Sequence, residues 1–89
     1  MARFELNEST HAVLGEGPVN NNTLFDLGMM YSVGRSVPVD FVTAHKWFNL
    51  AAMQGNREAV RLRQEIAEQM SEMEIAAAQR AARAWLKAA

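Results

Sequence analysis

At 89 residues with a formal net charge of -1, the chain is bounded to a single domain and lacks the electrostatic footprint expected for DNA, RNA or an anionic membrane. It has no cysteine, which excludes disulfides and thiolate metal sites. A chain of this size hides roughly 60–65% of its unfolded surface, so its helices must pack closely to make a core.

Residues 1–22 carry the breakers Gly15, Gly17 and Pro18 and the run Asn20-Asn21-Asn22, with no sustained period. They read as an irregular, flexible arm, with Phe4, Leu6, Val13 and Leu14 as its only docking anchors. No apolar stretch of signal-peptide type follows Arg3, and the expected compartment is the cytoplasm. The apolar runs are far shorter than the roughly 20 residues a membrane span needs, so no membrane partner is expected.

The first helix is predicted over residues 24–33. Leu24, Leu27 and Tyr31 recur at i, i+3, i+7 and Met30 widens the stripe. Asn22 or Thr23 is the expected cap, and Gly34 the stop. Pro38 keeps Val37 out of a helix, so residues 34–39 form a loop. Asp40 then caps a second helix over residues 41–54, with Phe41, Ala44, Phe48 and Ala51 on one face and Trp47 and Leu50 broadening it. Adjacent on a helix, Trp47 and Phe48 point about 100° apart, so one fills the hairpin and the other meets the next one. Gly28 is expected where two helices cross closely.

Gly55 ends the second helix and Asn56 can cap a third, whose stripe is Ala59, Leu62, Ile66 and Met70. Its Arg61, Arg63, Glu65 and Glu68 read as a solvated, ion-paired face. Ser71-Glu72-Met73-Glu74 fits a capping box that opens a fourth helix to about Lys87, with Ile75, Ala78, Ala82, Trp85 and Leu86 inward. The class is therefore all-α, two antiparallel helix hairpins.

An internal repeat supports this reading. Ala44, Trp47, Phe48 and Ala51 recur as Ala82, Trp85, Leu86 and Ala89 at an offset of 38 residues, inside the period of about 34–47 typical of helical solenoids. The third helix echoes the first less well, as in a terminal unit with one face in water. The division is an arm over 1–22, a first unit over 23–55 and a degenerate capping unit over 56–89.

The positions Leu27-Gly28, Tyr31, Gly34, Val37, Asp40, Ala44, Trp47-Phe48, Ala51-Ala52, Gly55 and Ala59 resemble a Sel-1-like repeat, a relative of the tetratricopeptide repeat. Two departures stand out: Ser36 replaces the second glycine of the family's loop Gly-x-Gly, and the alanine usual near Thr23 is missing. The segment from Met70 to Trp85 resembles the capping helix pair of small bacterial members. The resemblance implies a non-enzymatic adaptor or scaffold that binds another protein or peptide. It also implies a groove lined by the first helix at Asn22, Phe25, Met29, Ser32 and Val33. The alternative is a structural protein that completes its stack as a homodimer through the exposed end near Trp85 and Leu86.

No Ser-His-acid set, buried carboxylate pair or phosphate loop accompanies these motifs, and neither His11 nor His45 has a partner at metal-ligand spacing. No cofactor or metal is expected. The basic positions Arg57, Arg61, Arg63, Arg80, Arg83 and Lys87 are interleaved with acids and read as solvated faces.

Overall fold

The computed structural model describes residues 20–88. Four helices follow in order: α1 (Asn21–Val33), α2 (Phe41–Met53), α3 (Arg57–Ala67) and α4 (Glu72–Ala88), with no strand among the described residues. The all-α class and the repeat-like helix pairs expected from the sequence are observed. The arm expected over 1–22 lies outside the described residues except for its last three.

α1 starts earlier than its apolar stripe suggests. Asn20 has extended backbone, and its Oδ1 accepts the Thr23 N–H at 2.9 Å. The cap is thus Asn20, not Asn22 or Thr23. The cap oxygen must reach the N–H three residues on, and Thr23 supplies that N–H from inside the helix. At the other end Gly34 adopts φ 79°, and the Gly34 and Arg35 N–H groups both donate to the Met30 carbonyl at 3.0 Å. The Asp40 N–H donates back to the Tyr31 carbonyl at 2.9 Å, so the loop closes on the helix it left.

Asp40 caps α2 as expected: Oδ1 accepts the Thr43 N–H and Oδ2 accepts the Thr43 hydroxyl. α2 ends at Met53, and Gly55 reverses the chain at φ 96°. Asn56 then serves two helices. Its Oδ1 accepts the Ala59 N–H at 2.9 Å and its Nδ2 donates to Asn21 Oδ1 at 3.2 Å, which ties the starts of α1 and α3 together. α3 stops at Ala67, so Met70 packs on the core from a turn and not from the helix. The capping box is reciprocal: the Glu74 N–H donates to Ser71 Oγ and the Ser71 N–H to Glu74 Oε1.

α2 is the hub. α1, α3 and α4 all pack against it, and α3 and α4 close on it more than on one another. Ala44, His45, Trp47, Phe48, Leu50 and Ala51 are buried, which leaves this helix little surface of its own. Gly28 lets α1 approach. A Cβ there would stand 2.5 Å from the Phe48 ring, well inside contact distance. Trp47 and Phe48 divide their tasks as expected. Phe48 is fully buried under α1, its ring 5.6 Å from Phe25. Trp47 meets Trp85 of α4 edge-on at 5.8 Å, with the Lys46 ammonium 4.1 Å from its ring centre. The two tryptophans that repeat in sequence therefore touch in space. Ala78 and Ala82 bring α4 in, but Leu86, expected inward, is 44% exposed. It follows Trp85, which meets α2, and stands about 100° further round the helix, turned away from that contact.

Candidate functional site

The residues singled out on α1 occupy successive turns of one helix face, at spacings of three, four and three to four residues. Asn22 is exposed at the N-terminal end and Val33 is 58% exposed at the other. Between them Phe25 and Met29 are half-buried: each rests against the core on one side. Phe25 leans on Phe48, and the missing side chain of Gly28 gives that ring its place. The Ser32 hydroxyl is turned into its own helix, donating to the Met29 carbonyl at 3.1 Å. Of the five, Phe25, Met29 and Val33 offer apolar contact, Asn22 an amide, and Ser32 an oxygen already engaged.

The repeat-signature positions are mostly structural. Leu27, Gly28, Ala44, Trp47, Phe48, Ala51 and Ala59 are buried, and Tyr31 and Ala52 pack against the same core. Gly34, Asp40 and Gly55 shape the turns. A second, shallow groove of about 450 Å³ lies between Tyr31, Pro38, Val39, Asp40, Phe41, Val42 and Glu74. Its two carboxylates already accept capping hydrogen bonds.

The sequence reading treated His45 as a lone histidine and Arg63 as part of a solvated face. The structure corrects the second and enlarges the first. Arg63 is half-buried and its Nη1 donates to Asn49 Oδ1 at 2.6 Å, joining α3 to α2. His45, one turn before Asn49, is 4% exposed, and its Nδ1 has no hydrogen-bond partner. Burial, and then the nearby Arg63 charge, push its pKa below the ordinary 6.5. The available signal was helical phase, since His45 stands one turn after Phe41 on a helix that is buried nearly all round. Arg61, in contrast, is solvated and paired with Glu58 and Glu65 as expected of that face.

Among the described residues, no group of three or more His, Asp or Glu could hold a metal ion, and no helix is long and apolar enough to cross a membrane. His11 lies outside the described residues.

The model of the Sel1 repeat matches residues 22–56, from the first turn of α1 to the cap of α3. No curated protein and no solved structure gave a match. Sel1 repeats are helical, tetratricopeptide-like units that mediate contacts between proteins and are not themselves catalytic. The small residue under Phe48, the glycine-closed turn and the Asp40-capped second helix all fall inside the matched segment, and residues 22–56 of the chain are a Sel1 repeat.

Proposed function

We propose that the chain is a non-enzymatic adaptor, acting in the cytoplasm, that binds a segment of another protein along α1 at Asn22, Phe25, Met29, Ser32 and Val33. The observation that carries this reading is the run of Phe25, Met29 and Val33 along one side of α1, apolar yet left partly or largely uncovered by the rest of the fold. A methionine next to an aromatic ring adapts to varied apolar side chains, which suits capture of a partner helix or strand. Residues 23–55, with Asn22 just ahead of them, form the binding unit in this reading, and residues 56–89 the unit that caps it.

The test separates binding from folding. Val33 is exposed and Met29 only half-buried, so the double variant Met29→Ala with Val33→Asp should melt within a few degrees of wild type. A photo-reactive residue at position 33 should cross-link a partner segment, and a synthetic peptide of that segment should bind wild type at least tenfold more tightly than the double variant, about 1.4 kcal/mol. Equal affinity for both proteins would move the site off α1.

A further inference from the structure

His45, on α2, is 4% exposed and is the one buried titratable side chain among the described residues. One turn on, Asn49 receives Arg63 from α3 at 2.6 Å. We propose that His45, Asn49 and Arg63 form an acid-sensitive clasp, and that uptake of a proton by His45 releases α3 from α2. The neutral imidazole fits: Nδ1 is buried without a hydrogen-bond partner, which an uncharged ring nitrogen tolerates better than a charged one. Protonation would put a positive charge on a buried ring beside the Arg63 guanidinium, and these two costs outweigh the gain from the one backbone hydrogen bond at His45.

No opposite charge among the described residues is placed to compensate. The remaining charges of α3 (Arg57, Glu58, Arg61 and Glu65) are exposed, as are Asp26 on α1 and Glu72, Glu74, Arg80, Arg83 and Lys87 on α4. On α2 itself, Lys46 lies over the Trp47 ring. Arg63 is the charged group that acts on His45, and it opposes protonation.

The sign is fixed by linkage. A base held below its free pKa leaves the closed form fully favoured above about pH 6.5. The closed form loses ground as pH falls from there towards the folded-state pKa. One proton taken up on opening changes the open-to-closed ratio about tenfold per pH unit in that window. α3 is the element to yield, because it carries Arg63, the charge that a protonated His45 would face.

The experiment is amide hydrogen exchange of the full chain between pH 7.5 and 5, corrected for the intrinsic pH dependence, on wild type, His45→Gln and His45→Phe. Wild-type protection at Leu62 to Ala67 should fall about tenfold per pH unit below 6.5, with α1 and α2 lagging, and this slope should vanish in both variants whatever their absolute stability. In wild type the His45 ring should titrate below 6.5 by carbon-13 shift, which tests the idea even if neither variant folds. Flat wild-type protection, a slope that persists in the variants, parallel loss in all four helices, or a ring titrating at or above 6.5 would each overturn the clasp.

Discussion

A single missing side chain governs how closely α1 lies on α2. Phe48 fills the space that any Cβ at Gly28 would claim, and Phe25, one turn earlier on α1, packs on the same ring. The ring is fully buried, so it cannot swing into solvent to make room. Gly28→Leu should therefore destabilise the fold by about 1–3 kcal/mol or more through overpacking. Urea titration followed by circular dichroism measures this directly, and a midpoint equal to wild type would show that the crossing is looser than the geometry states. Phe48 earns its burial by the same logic: a ring of this size removed fully from water contributes roughly 1.5–3 kcal/mol. His45 shows the opposite case at the same scale, a polar group buried without a partner and therefore sensitive to one proton.

At the scale of elements, the caps explain why four short helices form at all. Each begins with an Asn, Asp or Ser whose side-chain oxygen accepts a backbone N–H three residues on. The α1–α2 turn is less settled. Ser36 lies at φ 70°, in the left-handed region, where the family's loop usually carries a glycine. A side chain there costs roughly 1–2 kcal/mol, against about 0.4–1 kcal/mol of extra chain entropy lost on folding if glycine replaces it. The first effect is larger, so Ser36→Gly should raise stability by about 0.5 kcal/mol, some 2–4 °C in Tm for a domain of this size. Calorimetry decides it; a lower Tm would mean that the serine side chain contributes contacts that outweigh its backbone strain.

At the scale of the whole molecule, α2 joins everything, because α1, α3 and α4 all rest on it. α4 is held chiefly by Ala78, Ala82 and the edge of Trp85 against Trp47. Trp85 is half-buried, so Trp85→Ala should cost about 2 kcal/mol, near half the 3–5 of a fully buried ring. It should act first on α4: amide exchange there should quicken by more than tenfold while α1 keeps its protection. Uniform loss across all helices would show instead that the two units open together. On α4, Met73 is 83% exposed near the start and Leu86 44% exposed near the end, about 140° apart around the helix, so they do not form one apolar face.

Much of this was legible in the linear chain because it depends on local rules. Asp40, Asn56 and the Ser71–Glu74 box announce helix starts through their own spacing, Gly34 and Gly55 announce reversals, and the 38-residue recurrence of Ala44 and Trp47 announces a second unit. The cap of α1 was misplaced because three consecutive asparagines offer the same chemistry, and only the backbone at Asn20 is extended. On the α1 face, the sequence could name Phe25, Met29 and Val33 from helical phase. How far each remains uncovered depends on Phe48 and on the close approach at Gly28. Arg63 was misjudged, and the burial of His45 missed, for a related reason. Charge pattern along one helix cannot show that a neighbouring helix offers Asn49 to the one and shuts water from the other. The sequence by itself determined the elements, their ends and the repeat, since those arise from contacts within a few residues. Only the tertiary structure decided which faces stay wet and which polar groups are buried, because burial arises from atoms distant in the chain.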